Sequence, residues 1–374
     1  MSSSTPLWVD LLTAGQRTTL DPGVPDRLDV TPDVLVVGGG VAGVATALAC
    51  YHAGLGRITL VERDTLGAGA TGASAGLLLP EAHHGSDPAD FVDLCRHSLD
   101  RWRKLDSTLP GGVGFVDSAW LDLAPQREGW APQPGAERLG ASDVAGLIPE
   151  LAHPVPGVLV AHQGRINPLA ALASLAAALP RKSVATGAGV LSVTIRAGRI
   201  VGVTTTAGTL TPGVVMFATG GPPSLPGLDL ALPSSRVKGH LIATAPTGLT
   251  LPAMMVSPVA TEVGGQLLAG GTVEPDGSAA VDPAVVSTIR SNLDAALPCA
   301  AAAPTSHAWC GFRPAHPDRL PVIDRVPGLD NAWLTSGHFR TGVLMAPATG
   351  AAIASWIAGG HAPPEIAGLR ADRF

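Results

Sequence analysis

Residues 33–64 constrain the fold of this 374-residue chain more than any other stretch. The β-branched run "DVLVV" leads directly into "GGGVAG", a segment with helical spacing follows, and the apolar run "RITLVERD" contains an acid. Gly38, Gly40 and Gly43 form GxGxxG, and Glu62 lies 19 residues after Gly43, where a carboxylate can accept hydrogen bonds from ribose hydroxyls. Glycines let the backbone approach a pyrophosphate, and the helix N-terminus adds partial positive charge. The stretch predicts a βαβ unit that binds a dinucleotide, and by itself it does not separate NAD from FAD.

The composition predicts a large buried core and argues against two classes of site. Hydrophobic residues make up 46% of the chain, and 46 glycines and 34 prolines supply many turns. The net charge of −6 and the shortage of lysine argue against nucleic-acid binding. The lysines are Lys104, Lys182 and Lys238. Widely spaced cysteines without a CxxC pair favour reduced thiols over a disulfide framework or a zinc site.

The N-terminal stretch and the apolar runs predict where the protein is found. The first residues show no basic region leading into an apolar core, as a signal peptide would. The longest apolar runs, such as residues 169–179, are too short to cross a bilayer. We therefore expect a soluble, cytoplasmic protein without a membrane span, and a homo-oligomer is left open.

A loop of small residues follows the βαβ unit and points to a flavin. In "TLGAGATGASAGLLLP" (65–80), small side chains permit close backbone approach, and the hydroxyls of Thr71 and Ser74 can donate to phosphate oxygens. Together with the βαβ unit, this loop resembles the amino-acid oxidase family of flavoproteins, which includes D-amino-acid, glycine and sarcosine oxidases.

Further stretches match the same family, so that the resemblance covers residues 33–374. They are "GRINPLAALASL" (164–175), "TPGVVMFATGG" (211–221), "GFRPAHPDRLPVID" (311–324) and "SGHFRTGVLMAPATG" (336–350). The last two are very close to the C-terminal signature of the glycine-oxidase branch.

The resemblance implies an α/β fold in which a Rossmann-type FAD-binding domain, similar to that of glutathione reductase, is intertwined with an antiparallel-sheet α+β substrate domain. The FAD-binding domain is expected from 31–84, 160–225 and 312–374, and the substrate domain from 85–159 and 226–311. Strand-like runs at 240–245, 253–258 and 266–272 fit the substrate-domain sheet. Residues 1–30 form a lead-in that is either poorly ordered or packed on the body.

The resemblance also implies the residues that bind FAD. They are Gly38, Gly40, Val41, Ala42, Gly43, Glu62, Arg63, Gly69, Thr71, Ser74, Ala75, Gly76, Leu77, Gly220, Gly337, Phe339, Arg340, Thr341, Gly342, Val343 and Leu344. Pro347 predicts a helix whose first turn lies near 345–348, and the resemblance implies that its N-terminus lies at the pyrimidine edge of the flavin. Relatives with covalent flavin carry a cysteine near the position of Gly311, and Cys310 is one residue away, so we expect non-covalent FAD.

Arg313 is the main candidate for substrate binding. From its own segment alone, a structural ion pair with Asp318 or Asp324 is the simpler interpretation. In the resembling family, the arginine of this motif binds the substrate carboxylate, which suits the planar fork of a guanidinium. Phe312 and Pro314 would then form an apolar wall around the pair.

Two other residues near the flavin, His338 and Arg340, are predicted to have smaller roles than Arg313. The predicted catalytic set is Arg313, His338 and Arg340, of which His338 and Arg340 are interpreted as scaffold rather than as acid–base groups. His83 and His84 are expected in a solvated loop, since further ligands at metal spacing are missing.

The chain departs from the family at two positions. Many members use a tyrosine of the substrate domain as a second carboxylate contact, whereas Tyr51, the only tyrosine, lies on the nucleotide-binding helix. The corresponding strand offers Met254 or Met255, so Met255 joins Arg313 and Phe312 as a predicted substrate contact, and glycine cannot be carried over as the substrate. Sarcosine-oxidase relatives place an oxygen-activating lysine in the strand that corresponds to 266–272, and this chain has none there.

These observations predict FAD-dependent oxidation of the C–N bond of an amino acid or related amine. Hydride transfer to flavin N5 would give an imine, which hydrolyses to a keto acid, and dioxygen or another acceptor would reoxidise the flavin. No side-chain base and no metal are expected. Two alternatives remain: an FAD-dependent 2-hydroxy-acid dehydrogenase with His338 as the base, and a cofactor-bearing subunit of a heteromeric amino-acid dehydrogenase.

Overall fold

The computed structural model of the chain describes residues 4–123, 135–275 and 277–374. Helices are numbered α1–α8 and strands β1–β18 along the chain. The predicted nucleotide-binding unit is present: β1 (Val34–Val37) is wholly buried, α3 (Val41–His52) begins directly after the glycines, and β2 (Ile58–Val61) pairs in parallel with β1. β-branched residues favour the strands, and the glycine turn lets the chain enter the helix at once.

A six-stranded sheet grows outward from this unit. All its neighbouring strands are parallel except the edge pair β17–β18, which is antiparallel. In spatial order the strands are β17 (Val322–Arg325), β18 (Ala332–Ser336), β11 (Val214–Gly220), β1, β2 and β7 (Val184–Ala185).

A nine-stranded sheet forms the second layer and is largely antiparallel. Its strands are β16 (Thr305–Ala315), β12 (Ser235–Thr244), β15 (Gln266–Gly270), β14 (Ala260–Val263), β13 (Ala253–Val256), β4 (Val116–Asp122), β6 (Gly157–Arg165) and β3 (Leu77–Leu78), with β5 (Ala136–Leu139) also paired to β6. The expected combination of a parallel Rossmann-type sheet with an antiparallel substrate sheet is confirmed. The domain boundaries stay a prediction, because β3 and parts of β6 and β16 join this sheet from stretches assigned to the FAD-binding domain.

A small antiparallel sheet and the helices complete the described fold. The small sheet contains β8 (Val190–Arg196), β9 (Arg199–Thr205) and β10 (Gly208–Leu210). The remaining helices are α1 (Leu7–Asp10), α2 (Ala14–Leu20), α4 (Ala89–Thr108), α5 (Ala141–Leu147), α6 (Pro168–Ala177), α7 (Pro283–Ala296) and α8 (Gly342–Gly359), with 3₁₀ helices at Pro80–His83, Pro298–Ala302, Pro364–Leu369 and Ala371–Arg373.

Helix α8 begins earlier than the sequence predicts, and Pro347 lies inside it. Proline has no N–H to donate to the carbonyl of Val343, so a side chain of α4 replaces it: Trp102 Nε1 donates to that carbonyl at 3.0 Å. Ser98 bridges the next position, since its hydroxyl donates to Leu344 O at 2.6 Å and accepts from Ala348 N at 3.1 Å. The helix has the length and hydropathy of a membrane span, but 67% of it is buried inside the protein, as in a core helix.

The lead-in packs on the body of the protein, which decides between the two alternatives left open above. Leu7 and Trp8 are fully buried in the main core. Trp8 Nε1 donates to the carbonyl of Ser74 at 2.7 Å, and Asn167 Nδ2 donates to the carbonyl of Trp8 at 3.4 Å. The lead-in therefore supports the small-residue loop directly.

Candidate active site

A cleft of about 700 Å³ is lined by residues of both large sheets. From the six-stranded sheet come the ends of β1, β2 and β11, and from the nine-stranded sheet come parts of β12, β13 and β16. This volume lies in the range of cofactor and ligand sites, and the carboxyl ends of parallel strands are where such folds bind nucleotides.

Glu62 is fixed beneath the glycine turn at one end of the cleft. Its Oε2 accepts from Gly39 N at 2.6 Å and its Oε1 accepts from Asp64 N at 2.9 Å. A side chain at Gly39 would collide with Glu62, so the glycine is required for this contact. Each carboxylate oxygen keeps a lone pair that a ribose hydroxyl can use.

Next to Glu62, the N-terminus of α3 offers backbone donors to an anion. Thr71 Oγ1 accepts from Val41 N at 3.1 Å, which leaves the hydroxyl hydrogen of Thr71 to donate elsewhere. The N–H groups of Gly40 and Ala42 line the cleft and make no hydrogen bond within the described residues. Ser74 also lines the cleft, and its buried Oγ has no partner among them. Free helix N–H groups beside a hydroxyl fit the pyrophosphate of a dinucleotide.

A second helix N-terminus faces the same cleft. Gly342, Val343 and Leu344 line it at the start of α8, where no side chain caps the helix. These donors and the helix dipole favour the negative charge that collects on the pyrimidine edge of a flavin. Two helix N-termini on one cleft, one for phosphates and one for the ring, fit FAD.

Three of the predicted cofactor residues support the site without lining it. Gly43 allows α3 to pack on the turn, because a side chain there would overlap the carbonyl of Gly38. Gly337 has φ +71, and a side chain added there would overlap the ring of His316. Thr341 Oγ1 donates to the carbonyl of His338 at 2.8 Å and so closes the turn before α8. The other predicted cofactor residues all line the cleft, and their individual roles stay predictions.

Arg313 lines the cleft from β16 and is half-buried. Its Nη1 donates to Thr272 O at 2.9 Å and to Lys238 O at 3.4 Å, and it makes no ion pair with any described residue. Gly239 creates the space for the guanidinium, because an added Cβ would overlap Nη1. Burial lowers the pKa of Arg313, the charge of Arg340 lowers this pKa further, and the charge of Glu274 partly offsets both effects.

The two carboxylates proposed as structural partners of Arg313 are engaged elsewhere. Asp318 pairs with Arg373 at 2.7 Å, and Asp324 accepts from Ala371 N at 2.8 Å. The two proposed ion pairs are thus replaced by two carbonyl contacts that position the guanidinium, and Glu274 acts on its charge without forming an ion pair with it. A cation of this kind in a cleft suits a carboxylate ligand.

His338 lines the cleft and is neutral at physiological pH. Burial, with a smaller contribution from His316, lowers the pKa of His338 to about 4. Its Nε2 lies 3.2 Å from Thr349 Oγ1 and 3.4 Å from Thr335 Oγ1. These contacts fit the interpretation of His338 as scaffold.

Met255 is a correction to the predicted substrate contacts. It is fully buried in a second core under the nine-stranded sheet and does not line the cleft. Successive side chains of a strand point to opposite faces, so its neighbour Val256 lines the cleft instead. Leu79, Trp120 and Val259 complete an apolar wall that the sequence did not reveal.

Phe312 lines the cleft, and the guanidinium of Arg236 stacks 3.9 Å from the centre of its ring. The contact of Phe312 with the substrate stays a prediction. Arg340 also lines the cleft, beside the ring of Phe339.

His83 is the second correction. It is buried and lines the cleft, whereas a solvated loop was expected, and only His84 lies outside the lining. Its Nδ1 is 2.6 Å from Asp87 Oδ2. The four-residue spacing of His83 and Asp87 is the one signal in the sequence for this pair. No group of metal ligands is found among the described residues.

Comparison with known proteins places these features in one family. The family model described as FAD dependent oxidoreductase (DAO) matches residues 33–356. A glycine oxidase of Pseudomonas aeruginosa strain PAO1 is 33% identical over 351 residues, which cover 87% of this chain and 94% of that protein. Among solved structures, glycine oxidase from Geobacillus kaustophilus has a TM-score of 0.81 at 23% identity, covering 92% of this chain and 99% of that one. An L-amino acid deaminase from Proteus vulgaris has a TM-score of 0.84 at 16% identity, covering 97% and 99%.

Proposed function

Because the chain belongs to the DAO family of FAD-dependent oxidoreductases, we propose that it oxidises the C–N bond of an amino acid or related amine whose carboxylate binds Arg313. The observation that carries this proposal is the half-buried guanidinium of Arg313, which is held by two carbonyls and has no carboxylate partner among the described residues. Nε and Nη2 make no hydrogen bond within the described residues, so they are available to the two oxygens of a ligand carboxylate.

The residues that would hold FAD are those of the two helix N-termini, together with Glu62 and Thr71. When bound, FAD accepts a hydride from the substrate, and dioxygen or another acceptor then takes up the electrons. Non-covalent binding is supported by Cys310, whose Sγ lies 3.2 Å from Ala279 O and which is not among the residues that line the cleft.

Arg313 would orient the substrate in two ways. A bidentate contact fixes the plane of the carboxylate, and the bond at Nη1 keeps the guanidinium from rotating away. The nearby charge of Arg340 adds to the positive potential of the cleft, so an anionic substrate is attracted before it makes contact.

The apolar wall supports a substrate with an apolar substituent. Leu79, Trp120 and Val256 are packed together, and no tyrosine is among the residues that line the cleft. Relatives of this chain are named glycine oxidases, and this wall favours a larger substrate than glycine.

The hydroxy-acid alternative would need His338 as a base. A histidine with a pKa near 4 takes up little proton at neutral pH, which disfavours that role. Replacing His338 with glutamine should spare most activity if an amine is the substrate and abolish it if His338 is the base.

A panel of amino acids, amines and 2-hydroxy acids tests the proposal. The purified holoenzyme is mixed with each compound without oxygen, and bleaching of the flavin absorbance is followed. We expect bleaching by amino acids with apolar side chains, and return of the colour when air or an artificial acceptor is added. Bleaching by 2-hydroxy acids alone would contradict the proposal.

A further inference from the structure

Amino acids reach an enzyme mainly as ammonium ions at neutral pH. An ammonium nitrogen has no lone pair, and loss of hydride from the neighbouring carbon needs one, so the substrate must first lose a proton. A side chain that accepts this proton would act as a general base and increase the rate of the reaction. A side chain that lines the cleft could accept this proton, and this inference rests on the proposed function.

Four side chains that can accept a proton line the cleft: Glu62, Asp64, His83 and His338. Glu62 and Asp64 lie after β2 at the nucleotide end, where Glu62 accepts two backbone hydrogen bonds and is positioned for a ribose, and Asp64 pairs with Arg63. His338 is held between two threonine hydroxyls, and burial keeps its pKa near 4. His83 is the acceptor that remains.

The ring of His83 is held in one orientation. It lies at the end of the 3₁₀ helix Pro80–His83, its side chain is only 9% exposed, and the ring of Phe91 meets it edge-on. The carboxylate of Asp87 can only accept a hydrogen bond, so at 2.6 Å the hydrogen is on Nδ1 of His83. In the neutral ring Nε2 then carries the lone pair, and it makes no hydrogen bond within the described residues.

We propose that Nε2 of His83 takes the proton from the ammonium group of the substrate, while Asp87 holds the ring through its contact with Nδ1. One N–H bond of the ammonium breaks, its electron pair stays on the substrate nitrogen, and an Nε2–H bond forms. The imidazolium returns the proton to water after the product has left. The arrangement resembles the base and orienting acid of hydrolytic triads, applied to an amine.

The charges around His83 come from three directions. Asp87 faces Nδ1, the ion pair of Glu81 with Arg96 at 2.6 Å joins its helix to α4, and Arg313 and Arg340 line the same cleft. The carboxylate of the substrate would neutralise Arg313 and so reduce the positive charge of the cleft. The reduced charge makes it easier for His83 to take up the proton of the substrate.

The experiment compares His83→Gln and Asp87→Asn with His84→Gln, a matched control one residue away and outside the cleft lining. Each holoenzyme is first checked for FAD content and for binding of a substrate analogue that has the carboxylate and lacks the amine, by the change in flavin absorbance. We expect these two properties to be unchanged, since the analogue brings no proton to remove.

The decisive readout is kcat/KM as a function of pH. At neutral pH, we expect His83→Gln to lose roughly 10²- to 10⁴-fold. The loss should shrink by roughly tenfold per pH unit toward about pH 9, because the free amine then supplies its own lone pair. A substrate with an electron-withdrawing group beside the amine should narrow the gap at neutral pH as well. Asp87→Asn should show the same trend with a smaller loss, and it tests the proposal if His83→Gln does not fold.

Three outcomes would overturn the proposal. Equal kcat/KM for His83→Gln and His84→Gln at neutral pH removes His83 from the reaction. A loss that is constant over the whole pH range, or weaker binding of the amine-free analogue, assigns His83 a structural role. A wild-type holoenzyme that is bleached by no amino acid or amine overturns the proposed function, whereas an active wild type with an unchanged His83→Gln variant overturns this inference alone.

Discussion

Trp102 donates a hydrogen bond to the carbonyl of Val343, the acceptor that Pro347 leaves without a partner in α8. The bond joins α4 to the first turn of the helix whose N-terminus lines the cleft. A proline in the interior of a helix ordinarily costs about 3 kcal/mol or more. Here the lost bond is replaced from outside the helix, so α8 can continue through the proline.

Trp102→Phe should therefore destabilise the protein and weaken FAD binding. Phenylalanine keeps an aromatic ring at this position but has no N–H, so the carbonyl of Val343 is left buried without a donor, which costs about 1–3 kcal/mol. Urea unfolding of the apoprotein and a fluorescence titration with FAD measure the two effects.

Trp333→Phe is the matched control for this substitution. Trp333 is buried, and its Nε1 has no partner among the described residues, so the control removes the same atoms without removing a hydrogen bond. An equal loss of stability in both variants would show that the Trp102 bond contributes nothing.

Arg313→Leu should lower kcat/KM by roughly thirtyfold to several thousandfold, or about 2–5 kcal/mol, because the substrate carboxylate loses its partner. The decarboxylated amine of the same substrate should lose far less. FAD content should persist, since leucine suits the neighbouring apolar residues. Steady-state kinetics of the acid and its amine on matched holoenzymes decide the question, and equal losses would exclude Arg313 as the carboxylate site.

Gly239→Ala should reproduce part of this loss without touching the charge. The added methyl overlaps the guanidinium of Arg313 and also the backbone oxygen of Thr272, so the contact between Nη1 and Thr272 O must be lost. We expect kcat/KM for the acid to fall by roughly tenfold or more, since misplacing a positioning group is costly. Gly146→Ala in α5, where nothing lies near the added methyl, should leave the kinetics unchanged. Unaltered kinetics in Gly239→Ala would mean that the position of the guanidinium does not matter.

His338 should make the folded protein less stable in acid. Its pKa is about 4 when folded against 6.5 as the ordinary value, so the unfolded chain binds more protons between these two pH values. Stability therefore rises with pH across this window, and about 3 kcal/mol is lost as the pH falls through it. His338→Gln should flatten this part of the curve of unfolding free energy against pH, measured with urea. A variant with the same slope as the wild type would contradict the buried neutral state.

The nucleotide-binding unit could be predicted because its information is local. Glycines, a helix and an acid stand at fixed spacings within 33–64. The environments of these residues follow from backbone geometry and from neighbours in the sequence.

Other features depend on partners far along the chain, and no local pattern contains them. The start of α8 was misplaced because the normal effect of Pro347 is cancelled by Trp102 of α4. Neighbouring side chains of a strand point to opposite faces of the sheet, so an error of one residue places the wrong side chain in the cleft. Met255 was assigned to the cleft for this reason, and only the observed strand shows that Val256 lies there instead. His83 appeared solvated because its burial comes from tertiary packing.

The pairing of distant segments around the cleft has a consequence for biosynthesis. β1 pairs with β11, β11 pairs with β18, and α8 follows β18. About 300 residues thus separate the glycine turn from the start of α8, and a ribosome that adds ~5–20 residues per second needs roughly 15–60 seconds to cover them. The nascent chain carries an incomplete cleft during this interval. The full set of residues that would hold FAD is therefore present only after α8 has been synthesised, so capture of FAD is a late step in the biosynthesis of the protein.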